Sequence, residues 1–136
     1  MIGLEKPLSD VNGAEILIIE HSAMVGNIIV STARQLGLQT LRLVSNARSA
    51  RHFMEHQTFV GLIAALDVED EALELIHKLR EGQFKSPANM PVAITTGYCS
   101  VELAHRLKLL GPRRILIKPF KIRDLVTTIE ALTDQP

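Results

Sequence analysis

The chain of 136 residues has a single cysteine, Cys99. It can therefore form no intrachain disulfide and no cysteine-based metal cage, and its cysteine usage fits a reducing, cytoplasmic setting. Charge of one sign is not in excess either, because 15 Lys and Arg stand against 15 Asp and Glu. That balance removes the compositional case for nucleic acid or an anionic membrane as partner. It also leaves little colloidal repulsion between copies, which favours self-association. No apolar run approaches the roughly 20 residues that cross a bilayer, and the polar start from Met1 to Val11 is no signal peptide. Repeats, low-complexity tracts and linkers are likewise missing. What is present, 46% hydrophobic and 22% charged residues, is the composition of one globular domain.

Short apolar runs alternate with amphipathic segments. Ala14 to Ile19 reads as a buried strand, followed by Ser22 as the N-cap of a helix that carries Met24, Ile28, Ile29 and Ala33 and closes at Gly37. Gln39 to Val44 is a second strand. Ser45 and Asn46 cap a helix from Ala47 to about His56. Phe59 to Ala65 is a third strand, and the acidic stretch Asp67 to Glu71 opens a helix through Leu73, Ile76 and Leu79 to about Gln83. Pro91 to Thr95, helix Val101 to Leu110, Arg113 to Ile117 and helix Ile122 to Leu132 complete the series, with Gly111 and Pro112 as a stop signal. Continuous apolar strands between amphipathic helices imply a parallel sheet covered on both faces, an α/β/α sandwich. Right-handed crossovers leave few topologies, of which the flavodoxin-like order 2-1-3-4-5 is one. In such a sheet the ligand site lies outside the carboxyl ends of the strands. Here that edge holds Glu20 and His21, Ala65 to Asp67, Thr95 and Thr96, and Lys118 with Pro119.

From Ala14 to Leu132 the chain resembles the receiver (CheY-like) domain of two-component response regulators. Ile115 to Phe120 is similar to that family's Lys-Pro-Phe ending of the last strand. Met90 to Gly97 is similar to its Pro-apolar-apolar-Thr-Ala/Gly strand, and Ile16 to Met24 to its Ile-Leu-Val-Asp-Asp-Ser opening. The resemblance divides the chain into an N-terminal extension, residues 1–13, and a receiver-like domain, residues 14–133. It also implies a lysine, Lys118, that pairs with a phosphorylated aspartate, a cis bond before Pro119, and a hydroxyl, Thr96, for the phosphoryl group.

The departures bear on function. Glu20 and His21 stand where the family holds Mg²⁺ with two acidic residues, and alignment puts Ala65 where the third strand ends in the phosphoryl-accepting aspartate. Asp67 is the nearest carboxylate, and Ile115 stands where the family often has a switch aromatic. Phosphoryl transfer to a carboxylate needs an acceptor and a hard cation held by carboxylates. An alanine cannot accept, and one glutamate with a neutral imidazole is a poor Mg²⁺ site. The expectation is a degenerate pocket (Glu20, His21, Ala65, Asp67, Thr96, Lys118) in a protein that is not an enzyme and uses no cofactor. Lys118 is expected to pair with Glu20, and Thr96 to cap the next helix. Mg²⁺, held by Glu20 and Asp67, enters only in the alternative in which Asp67 is a working phosphoacceptor. A further alternative is an anion or small-ligand sensor using Lys118, Thr96 and His21.

His52 and His56 lie four apart on a helix, a metal-pair spacing, but without a third ligand in sequence they read as surface residues. Cys99 reads as an inert thiol, and Arg113 with Arg114 as local surface charge. The resemblance places an interaction surface on the last helix-strand-helix unit, drawing on Leu103, Leu107, Lys108, Arg113, Arg123 and Asp124. It implies a signalling partner, a histidine kinase or an effector, and a two-fold homodimer. The chain ends just past the last helix, so no output domain is expected.

Overall fold

Runs without polar alternation become the middle of the sheet. The computed structural model describes residues 15–66 and 71–133, so the extension 1–13 and Asp67 lie outside the described residues. The strands are β1 (Ile16–Ile19), β2 (Leu41–Val44), β3 (Gly61–Leu66), β4 (Val92–Thr96) and β5 (Arg114–Ile117). Between and after them run α1 (Ala23–Gln35), α2 (Ala47–His56), α3 (Glu71–Arg80), α4 (Val101–Leu109) and α5 (Ile122–Thr133). All pairings are parallel, in the order β2-β1-β3-β4-β5. This is the flavodoxin-like arrangement. Every residue of β1, β3 and β4 is buried, while β2 and β5 form the edges.

The two-residue period of a strand divides the core into two layers. Ile16, Ile18, Ile63, Ala93 and Leu116 face α1 and α5, meeting Ile29, Ala33, Leu125 and Ile129. Leu17, Ile19, Leu62, Ala64, Leu66 and Ile94 face the opposite layer, where α2 supplies Ala50 and Met54 and α3 supplies Ile76 and Leu79. Leu107 of α4 is completely buried in that same layer. It cannot belong to an interaction surface, contrary to the sequence expectation. Leu103, Leu107 and Leu110 share the inward stripe of α4, and Leu107 is its centre.

The caps follow side-chain chemistry. Ser22, Asn46 and Ser100 accept hydrogen bonds from the backbone N–H three residues on, at 3.2, 2.8 and 3.0 Å. Gly37 and Gly111 adopt φ of +94° and +63° just past α1 and α4, where a side chain would be strained. Helix α3 ends at Arg80, earlier than Gln83, because Gly82 takes φ of +79°. Strand β3 begins later than expected, since the N–H of Phe59 donates to Ser86 Oγ (2.8 Å) outside the ladder.

Arg80 fastens two loops, α3–β4 and α4–β5, to the end of α3. Its guanidinium donates to the carbonyls of Leu110 (2.7 Å), Ala88 (2.8 Å) and Met90 (2.7 Å). Burial lowers the pKa of this side chain below the usual arginine value, and the carbonyls offset the loss of water. These loops lead into the amino-terminal ends of β4 and β5.

Candidate functional site

The carboxyl edge of the sheet is closed by an ion pair. Glu20 follows β1, and its N–H continues the ladder to Val44 O at 3.0 Å. Its side chain has no solvent exposure. Lys118 follows β5, with its N–H on Thr96 O at 2.8 Å and a cis bond to Pro119. From opposite sides of β3 and β4 the two side chains meet, Lys118 Nζ donating to Glu20 Oε1 at 2.6 Å. Glu20 Oε2 accepts the Ser22 N–H at 2.9 Å and lies 3.4 Å from His21 Nδ1. Both carboxylate oxygens are thus engaged, and the cation that would attract an anion is neutralised at contact distance. This is the expected Glu20–Lys118 pair. The ring of His21 points mostly to solvent, 64% exposed.

The strand register carries β3 one residue further than expected. Thr96 pairs with Leu66, while Ala65 pairs with Thr95 one step deeper in the sheet. Strand β3 therefore ends on Leu66, not on Ala65. Leu66 is packed in the core, and a hydrocarbon side chain offers no phosphoryl acceptor. Alignment of an apolar run cannot fix such a one-residue shift, whereas pairing with β4 does. Asp67, the next residue in sequence, lies outside the described residues.

The Thr96 hydroxyl caps no helix. It donates to the carbonyl of Tyr98 at 2.8 Å, and the N–H of Tyr98 returns to it at 3.4 Å. Ser100 is the α4 cap. The hydroxyl is thereby committed to its own loop. For Mg²⁺, which wants several hard oxygen ligands, the described residues offer Glu20 with both oxygens occupied, an imidazole and two hydrocarbon side chains. That donor set does not fit. Among the described residues no cluster of three or more His, Cys, Asp or Glu could hold a metal.

On the α4–β5–α5 side, Lys108, Arg113 and Arg123 are exposed, and Leu103 and Asp124 are partly so. Arg113 is more than surface charge, because it donates to Ala131 O at 2.8 Å and ties the entry of β5 to α5. Ile115 packs against the core from its edge position. Sequence reasoning missed the exposed apolar residues here: Tyr98, Val101 and Ile117 are 73%, 75% and 46% exposed. The available signal was the outward phase of Ile117 on an edge strand, opposite to that of buried Leu116. His52 and His56 are exposed on α2, as expected, and Cys99 is half-buried.

No protein-family model and no curated protein matches the chain. Solved structures do. The non-phosphorylated HemR receiver domain from Leptospira biflexa superposes with a TM-score of 0.77 at 15% identity, over 90% of this chain and 97% of its own. An orphan response regulator of H. pylori gives 0.76 at 17%, over 94% and 100%. The chemotaxis response regulator CheY4 of Vibrio cholerae gives 0.73 at 21%, over 88% and 98%. The chain has the fold of response-regulator receiver domains. No helix among the described residues is long and apolar enough to cross a membrane.

Proposed function

We propose that this receiver fold serves signal transduction as an interaction module that works without normal aspartyl phosphorylation. The observation that carries the reading is the Glu20–Lys118 pair at 2.6 Å, fully buried at its carboxylate. A receiver pocket needs a free cationic group to meet the incoming phosphoryl charge and free carboxylate oxygens for Mg²⁺. Here Lys118 Nζ is held on Glu20 Oε1, and Oε2 accepts the Ser22 N–H. The apolar end of β3 supports the same reading, as does the Thr96 hydroxyl turned onto Tyr98. The anion-sensor alternative loses ground for the same reason, since Lys118 already has a carboxylate against it.

A module of this kind acts through its surface, on a histidine kinase, an effector or a second copy in the cytoplasm. The exposed residues around α4 and β5, now without Leu107 and with Tyr98, Val101 and Ile117, are the contact region we assign to it. The test is the intact mass after incubation with acetyl phosphate and Mg²⁺, beside an Asp67→Asn control. An unchanged mass is the expected outcome. A phosphoryl adduct that disappears in the Asp67 variant would overturn the proposal and make the domain a phosphoacceptor.

A further inference from the structure

Helix α2 turns an unusual pair of side chains to solvent. His52 and His56 are both exposed and lie one helical turn apart, with ring centroids separated by 4.8 Å and planes tilted by 41°. The separation can be compared with what a shared metal requires. With metal–nitrogen bonds of about 2.1 Å and tetrahedral or right-angle bonding, two imidazole centroids lie about 4.6–5.3 Å apart. The observed spacing falls inside that interval before any metal is added.

The second observation concerns the tautomer. His56 Nδ1 lies 2.9 Å from the carbonyl oxygen of His52. A carbonyl only accepts, so this contact requires the proton on Nδ1 and leaves the lone pair on Nε2. Metal-binding histidines are commonly held this way, the second ring nitrogen donating to a carbonyl or carboxylate and fixing the ring. His52 is steadied differently, edge-on against Phe53 with centroids 5.6 Å apart. The nearest cation in sequence, Arg51, is paired with Glu55 at 3.2 Å, which reduces its repulsion of a bound cation.

We propose that the outer face of α2 is a two-imidazole site, His52 with His56, for a divalent transition metal of the nickel, copper and zinc class. Imidazole nitrogen selects these ions over Mg²⁺ and Ca²⁺, which prefer oxygen. Two protein ligands leave the remaining positions to water or to a donor from another molecule. The site is independent of the sheet-edge pocket and stands whether or not that pocket accepts a phosphoryl group.

Calorimetric titration of the full chain with Ni²⁺, and separately with Zn²⁺, tests it. One metal per chain is expected. Each of His52→Ala and His56→Ala should weaken binding by more than about tenfold, since loss of even an outer-shell partner typically costs 10–100-fold. His77→Ala, on α3, serves as the control and should leave affinity unchanged. Both α2 positions are exposed, and an unchanged circular dichroism spectrum verifies folding of each variant. Equal affinity in His52→Ala, in His56→Ala or in both would overturn the proposal, as would a loss confined to the His77 variant.

Discussion

Replacing Lys118 with methionine keeps the aliphatic stem and deletes the ammonium. Glu20 is then left as a charge without solvent exposure, held by the Ser22 N–H and the neighbouring imidazole. Breaking a buried pair from one side costs about 3–5 kcal/mol. Lys118 is 20% exposed, so water reaches its end of the pair, and about 3 kcal/mol is expected. Glu20→Gln is gentler, because the amide still accepts from Ser22 and the freed ammonium can turn to solvent, for a loss of about 1–2 kcal/mol. With both changes no charge remains buried. The double variant should lose about 2 kcal/mol, well short of the sum, which gives a coupling of about 2–3 kcal/mol. Urea unfolding of the four proteins, followed by circular dichroism at constant m-value, reads these differences directly. If Lys118→Met costs under about 1 kcal/mol and the two losses simply add, the pair does not close the pocket. Lys118 is then available to an incoming anion, and the proposed phosphorylation-free role fails with it.

Arg80→Lys should cost about 1.5–3 kcal/mol in the same assay, since an ammonium cannot reach three carbonyls spread over two loops; an unchanged midpoint would show that those loops hold themselves. Gly111→Ala should lose about 1–2 kcal/mol through its φ of +63° alone, because a Cβ there meets nothing within 4 Å. A stabilised variant would contradict that conformation.

The order of elements was legible in the sequence because β1, β3 and β4 are buried on both sides and so read as unbroken apolar runs. The caps were equally plain: Ser22, Asn46 and Gly37 carry their roles in their own chemistry. Even the Glu20–Lys118 pair could be anticipated once two opposite charges were placed at the same edge of the sheet, on strands either side of β3 and β4. The end of β3 could not, because Ala65 and Leu66 are both apolar and only pairing with Thr95 and Thr96 separates them. Leu107 was misassigned for a different reason. Its spacing from Leu103 and Leu110 marks the inward stripe of α4, a periodic signal that outweighs membership of a family surface. The turn of the Thr96 hydroxyl onto Tyr98 depends on loop geometry that no residue type announces.

Among the described residues the sheet is open at both sides, and its edges are β2 and β5. An unpaired strand edge is a template on which another chain can add, and a protein of zero net charge has little repulsion to prevent it. Each edge is only four residues long and carries an arginine, Arg42 on β2 and Arg114 on β5. The long apolar strands that would aggregate most readily, β3 and β4, are kept inside. Placing the two arginine-bearing strands outermost is therefore a safeguard against fibre formation, supplied by the strand order itself.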